Sequence, residues 1–397
     1  MKQSIYLSVL ILLGTAFTLF GQKGHPAKVP TTVSVSTFYP QHEDYRPSLM
    51  ARLKVPAGFK VEAIASGLGK PRMMALTDKG GLYVTRRDVG DVILLQDKDG
   101  DGKMESLTTV WANFLGVHGI AIQDGYLYLA NSTDLRRGKI NNDGTLTDTM
   151  TLVKDLPEGA QHDNRVLNFG PDGMLYISVG SSCNDCGETN KEHATILRFS
   201  KDFSSRKIFA RGLRNTIGFD WNPMTREMWG CDNGTDWRSD EFPPEELNRI
   251  IEDQDYGWPR VFAKQQVDQT REDPIGATKE AYAKTTVPSV MEFPAHSAPI
   301  DFRFLGSAKD LPKDYQDDAL VCWHGSWNRS RPEGYKVQRI KFENGQPIGM
   351  EDFFSGFLSP DGKTRFGRPA GLAVSAKGTI YISDDESGVI YAVSKIN

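Results

Sequence analysis

One pattern recurs six times along this chain, and it constrains the fold more than any other feature. Each copy is a short apolar strand, a turn rich in Gly, Asp or Pro, and a second strand of large or β-branched residues. The copies start at Pro71 (PRMMALTDKGGLYVTRR), Val117 (VHGIAIQDGYLYLANS), Gln161 (QHDNRVLNFGPDGMLYISVG), Arg214 (RNTIGFDWNPMTREMWGCDNG), Ala298 (a degenerate copy running to CWHGSW) and Arg368 (RPAGLAVSAKGTIYISDD). Equivalent apolar positions are Leu76, Ile122, Phe169, Phe219, Phe304 and Val374, spaced by 46, 47, 50, 85 and 70 residues.

A four-stranded propeller blade takes about 40–50 residues. The first three intervals fit one blade each, and the last two imply insertions near 235–290, 308–318 and 328–362. Six copies therefore predict an all-β, six-bladed β-propeller over residues 51–397. A two-domain α/β chain would need long helices between its strands, and the sequence lacks their period. EELNRIIED (Glu245–Asp253) is the best helical candidate, with a strand as its alternative. The segment DYRPSLMARLKV is a candidate to complete the last blade.

The N-terminus, MKQSIYLSVLILLGTAFTLFGQ, has one lysine before an apolar run and a small residue, Gly21, after it. This reads as a signal peptide over 1–21, which predicts a periplasmic or secreted protein. The alternative, a membrane anchor, is disfavoured because the run is short of the roughly 20 residues a span needs. Residues 22–50 lack a period and read as an extended lead-in. The net charge of −4 gives no reason to expect nucleic acid as a partner. Export permits disulfides. Cys183 and Cys186, in CNDC, read as a local disulfide or free thiols. A metal pair is the lesser reading, because no second CxxC completes a zinc site and His193 is a weak third ligand.

In a propeller the innermost strands line a central channel, so the residues just before them gather at one mouth. Here they are Arg72, His118, His162 with Arg165, Arg214 with Asn215, His296, and Arg368. Any one alone reads as a solvated rim residue or an ion pair between blades. As a set in register they predict a cationic well with imidazoles, suited to an anionic ligand. A second constellation, CDNGTDWRSDEFPPEELN (Cys231–Asn248), is rich in hard oxygen ligands, and Gly234 lets carbonyls turn toward one centre. That favours calcium over transition metals, with an acidic surface loop as the plain alternative. DKDGDGK (Asp97–Lys103) matches the start of an EF-hand loop, but its twelfth position is Thr108; a hairpin turn within a blade is the better reading. No GxSxG, HExxH, Walker loop or GxGxxG after a strand occurs, which removes the hydrolase, zinc protease, nucleotide and nicotinamide readings they carry.

Five fragments then fall in a distinctive order: HDNRVLNFGPDGMLYISVGS, RGLRNTIGFDWNP, CDNGTDW with EELN and DYGWP, HGSWNRSRPEGYKVQRI, and FGRPAGLAVSAKGTIYISDD. From about Pro56 to Ile396 the chain resembles the soluble sugar dehydrogenases that depend on pyrroloquinoline quinone (PQQ), nearest by motif to their sorbosone branch. The resemblance implies a six-bladed propeller with PQQ and Ca²⁺ at the channel mouth. It implies that His162 is the catalytic base. Arg165, Arg214, Asn215, Arg329 and Arg368 are the implied cofactor-binding residues, and Gly234 and Thr235 are the implied metal-binding positions. The step from His162 to Arg165 is one residue shorter than in the glucose dehydrogenase branch, and only Arg365 stands near Arg368 as a second cation. The implied activity is oxidation of an aldose or related sugar, with electrons leaving to an external acceptor because no haem-attachment CxxCH is present. Two other readings use the same architecture: a metal-dependent sugar lactonase, which would want carboxylates on the axis, and a non-catalytic binding module.

Overall fold

The computed structural model describes residues 36–396. Six sheets follow one another along the chain, as the repeat predicts, each built on four antiparallel strands; in blade 3 a fifth, Gln254–Asp255, adds in parallel to Arg206–Arg211. Blade 1 starts with Met74–Leu76, blade 2 with Gly119–Gln123 and blade 3 with Leu167–Phe169. Blades 4, 5 and 6 start with Thr216–Trp221, Pro299–Phe304 and Pro369–Val374. These first strands are innermost, and neighbouring blades touch through them or the strand beside them all the way round, blade 6 meeting blade 1.

Glycine makes the tight ring possible. A Cβ on Gly119 would lie 2.7 Å from the Arg165 carbonyl oxygen, one on Gly218 would lie 2.4 Å from the Phe302 nitrogen, and one on Gly371 would lie 2.3 Å from the Arg72 carbonyl oxygen. The glycine in HGIAI, TIGFD and AGLAV therefore sets the distance between blades. Outside the ring, blades grip one another through apolar faces. Trp229 of blade 4 meets Phe342 of blade 5 edge-on at 5.3 Å, and Phe293 meets Trp323 at 4.8 Å; each pair contributes about 0.5–1.5 kcal/mol beyond its burial.

Three details depart from the sequence reading. Blade 6 is completed by Phe59–Ala65, antiparallel to Val389–Lys395, rather than by DYRPSLMARLKV. Within that segment Pro47, whose ring fixes φ, opens a 3₁₀ turn, Pro47–Arg52. EELNRI forms a strand, Glu245–Ile250, the third of blade 4, so the long insertion is divided into loops before and after it. The stretch 328–362 is largely the two outer strands of blade 5, Lys336–Glu343 and Gln346–Phe354. The described part of the lead-in is extended as expected up to Glu43, with Gln41–His42 pairing in parallel with Thr364–Arg365. The signal peptide reading lies outside the described residues. Among those described, no helix is long and apolar enough to cross a membrane.

Candidate active site

The segments just before the inner strands converge on one mouth of the channel. There a cavity of about 290 Å³ is bordered by His162, Arg214, Asn215, Gly234, Asp236, Glu245, His296, Trp327 and Asn328, among others. Larger clefts lie elsewhere, but this one gathers polar residues of three repeats and of both inserted loops.

His162 is 9% exposed. Its Nδ1 lies 3.0 Å from the Ser181 carbonyl oxygen and 2.8 Å from Ser181 Oγ. A carbonyl only accepts, and the Ser181 hydroxyl already donates to the Cys183 carbonyl at 2.7 Å. Nδ1 therefore carries the proton, and the lone pair sits on Nε2, which has no hydrogen-bond partner among the described residues. Burial, then the Arg214 charge, pushes the His162 pKa down to about 3, so the imidazole is neutral at physiological pH. Gly180 makes room for it: a Cβ there would lie 2.5 Å from His162 Cβ and 2.8 Å from Asn215 Oδ1.

Cys183 and Cys186 are joined in a disulfide, which removes the metal reading of CNDC; Cys231 and Cys322 are free and buried. The small ring serves the site on two sides. Its Cys183 carbonyl holds Ser181, and its Asn184 holds Arg214, whose Nε donates to the Asn184 carbonyl (2.9 Å) and Nη2 to Asn184 Oδ1 (2.8 Å). Arg214 also donates to the Asn233 carbonyl (3.1 Å) and pairs with Asp236 (2.9 Å). Asp232, buried beneath, accepts from the backbone N–H groups of Arg214 and Asn215 at 3.0 and 2.9 Å. The side-chain amide of Asn215 borders the cavity and makes no hydrogen bond among the described residues.

Two predicted cations are placed differently. Arg165 is fully buried; its two terminal nitrogens donate to the carbonyls of Pro157, His162 and Asn164, and its Nε has no partner among the described residues. Arg329 gives its donors to the carbonyls of Asp240, Ala295 and Arg331. Both brace loops and neither borders the cavity. Its neighbour Asn328 does: Nδ2 donates to Asp236 (2.8 Å), while Oδ1, buried, has no partner. His118 is wholly buried between Arg72 Nε (3.4 Å) and the Arg165 carbonyl (3.1 Å).

Arg368 and Arg72 border a separate cavity of about 390 Å³ with Tyr39, Arg87 and His324. Arg368 donates to the carbonyls of His324 (2.9 Å) and Gly325 (2.8 Å) and to the Tyr39 hydroxyl (3.0 Å). Carboxylates are interleaved here, for Arg72 pairs with Asp385 at 2.5 Å, and His324 approaches the same carboxylate at 2.7 Å. Arg365 is occupied by Glu386 in a two-point pair and by the Pro40 carbonyl. Sequence reasoning missed His324, Asn328 and Trp327, although all three stand in the quoted HGSWNRS motif, and it missed Asn184 and Asp385.

Of the acidic constellation, Asp236, Glu245 and Asn233 reach the cavity, while Asp240 turns away to Ser330 and Glu241 is exposed. Glu245 accepts from the Gly234 N–H at 2.7 Å. Neither the Gly234 nor the Thr235 carbonyl accepts a hydrogen bond among the described residues, which leaves two hard oxygens for a cation. Gly234 borders the His162 cavity; Thr235 borders a smaller one behind the loop, where its hydroxyl accepts from the Trp258 indole at 3.3 Å. The Asp97 loop is a hairpin turn inside blade 1, with Asp97, Asp99, Asp101 and Glu105 close together and largely exposed.

Burial pushes Glu245 and Glu246 each up to about 8, against ordinary values near 4.5. A carboxyl raised on folding stabilises the native state below its unfolded pKa and loses that contribution as pH rises through its folded pKa. Above pH 6.5 the depressed histidines are neutral in both states and add no slope. The metal-free protein is therefore expected to lose stability from pH 6.5 to 8, by up to about 1 kcal/mol per pH unit per carboxyl. Urea midpoints across that range check this, and Glu246→Gln should flatten the slope.

The fold and site define a six-bladed propeller with a polar ligand well at its axis. The chain belongs to the TrAA12-like family, whose model matches residues 53–396. It is 29% identical to an uncharacterised protein of Borreliella burgdorferi, over 87% of this chain and 91% of that one. It is 25% identical to a PQQ-dependent pyranose dehydrogenase of Coprinopsis cinerea over 87% of this chain; the match spans 55% of that longer protein. A PQQ-dependent sugar dehydrogenase of Hypocrea jecorina is 24% identical over 85% of this chain and 88% of its own length. Among solved structures, the calcium structure of a Trichoderma reesei family AA12 enzyme superposes with a TM-score of 0.74 at 22% identity, covering 87% of this chain and 97% of the other. The holo PQQ domain of the Coprinopsis enzyme gives 0.73 at 22%, covering 90% and 98%.

Proposed function

We propose that this protein is an exported quinoprotein that oxidises an aldose or related sugar with PQQ and calcium and passes the electrons to an external acceptor. The observation that carries the reading is His162 Nε2: an unprotonated imidazole nitrogen, unpartnered among the described residues, in a well also bordered by Arg214, Asn215 and Gly234.

The residues suit both groups. Arg214 and the Asn215 side-chain amide would hold the quinone, and Arg368 and Arg72 are the further cations for its carboxylates. Gly234 and Thr235 carbonyls, with Asp236 and Glu245 near them, form an oxygen-only donor set of the kind calcium takes. Bound there, the quinone would accept the hydride and the ion would polarise a quinone carbonyl as a Lewis acid. His162 would take the proton of the sugar hydroxyl on Nε2. Burial is the larger cause of the depressed His162 basicity, and an anion beside Arg214 would offset the smaller part that the guanidinium charge contributes. Arg165 and the disulfide ring would act by position, Arg165 by gripping the His162 carbonyl and the ring by holding Ser181 and Arg214.

The lactonase reading requires an axial carboxylate cluster, whereas here the two carboxylates at the well stand beside Arg214 and His162. Export is supported by the apolar N-terminal run and by the disulfide. The test is reconstitution of the purified protein with PQQ and Ca²⁺, assayed by reduction of an artificial acceptor over a panel of aldoses. Saturable, sugar-dependent reduction is expected; no PQQ binding and no reduction with any sugar would overturn the reading.

A further inference from the structure

Two tryptophans stand exposed at the rim of the His162 cavity. Trp237 is 47% exposed and Trp327 is 42% exposed, and their rings meet edge-on at 4.8 Å. They come from the two inserted loops, CDNGTDW and HGSWNRS, so nothing in the repeat places them together. Trp327 borders the cavity, and Trp237 continues the aromatic surface beyond it.

Trp237 is also strained. Its φ is +65°, a left-handed conformation that a bulky side chain rarely adopts and that persists where surrounding structure imposes it. Core packing gives no reason for that conformation, because the indole is half in solvent. Beside the pair, Asn328 is 1% exposed and has a buried Oδ1 with no partner. An aromatic step beside a cavity bordered by the polar side chains of Asn215, Asn233 and Asn328 matches a pyranose ring, which has an apolar C–H face and hydroxyl groups at its edge.

We propose that Trp237 and Trp327 form a saccharide subsite for the ring next to the one oxidised, so that the preferred substrate is a disaccharide or longer chain with its reducing end at His162. This rests on the sugar dehydrogenase reading for the oxidised ring. The binding of the neighbouring ring does not depend on it.

The test compares glucose and galactose with cellobiose, maltose and lactose, using wild type, Trp237→Ala and Trp237→Gly. The glycine variant removes the indole and tolerates the positive φ, so thermal melts separate loss of the ring from loss of fold. Calorimetric titration of each disaccharide into the protein, with and without PQQ, reads binding apart from turnover. In wild type, at least one disaccharide should exceed its reducing-end monosaccharide about tenfold in kcat/KM. Both variants should erase that advantage through KM, with kcat and the monosaccharide values unchanged, and should weaken disaccharide binding about tenfold. Equal use of mono- and disaccharides by wild type, or equal losses on both in the variants, would overturn the subsite. Disaccharide binding that depends on Trp237 in a protein without dye reduction would keep the subsite and sink the dehydrogenase reading.

Discussion

His162→Ala is expected to lower sugar-dependent dye reduction by about 10²–10⁴-fold, the range over which a positioned general base acts, while PQQ remains bound. The geometry explains why the loss should be chemical. The protonation state of the imidazole is fixed from behind: Nδ1–H donates to Ser181, and the Ser181 hydroxyl donates to the Cys183 carbonyl. Removing the ring deletes the unprotonated Nε2 that His162 presents to the cavity; the other imidazole at its edge, His296, donates its Nε2 proton to the Ser239 carbonyl at 2.7 Å and keeps its lone pair on Nδ1. The contacts of Arg214, Asn215 and Gly234 do not pass through the His162 side chain, so ligand binding should survive. Fluorescence titration with PQQ, alongside steady-state rates, separates the two effects. Near-wild-type turnover with PQQ bound would remove His162 as the base.

What the sequence made legible followed from periodicity. A strand alternates its faces, and a blade repeats its strands, so the register of Arg72, His162, Arg214, His296 and Arg368 at the mouth was readable from the spacing of Leu76, Ile122, Phe169, Phe219, Phe304 and Val374. The direction in which a guanidinium points has no such signal. Arg165 and Arg329 sit in the right segments, yet both turn to backbone carbonyls that the loops leave without partners. A buried carbonyl needs a donor, and a five-donor side chain nearby supplies it. The same accounting hid Asn184. Its importance comes from Arg214 and Asp236, which are 30 and 52 residues away, and loop contacts over such distances leave no local pattern. EELNRI reads as a helix by its charges, but burial of Glu245 and Glu246 against the insertion makes it the third strand of blade 4.

Calcium removal should abolish turnover entirely, and the well predicts how it would be restored. The candidate donors are oxygens of the loop that follows the fourth repeat: the carbonyls of Gly234 and Thr235, with the carboxylates of Asp236 and Glu245. None is a nitrogen or sulfur ligand, which disfavours zinc and copper, and such carbonyl-rich, flexible sets suit calcium better than the smaller magnesium. The loop cannot close on itself to satisfy these oxygens, because a backbone N–H and a carboxylate are already committed to each other between Gly234 and Glu245. Without a cation, burial keeps the Glu245 carboxyl protonated near neutral pH; a bound cation favours its ionised form, so loading should release protons. Chelation followed by dye assay should therefore give no activity, with recovery on Ca²⁺ and much less on Mg²⁺. Loading in weakly buffered solution near pH 7 should show proton release, and Glu245→Gln should reduce it. Full activity in excess chelator would remove the metal from the mechanism and leave Glu245 as a buried acid that only shapes the loop.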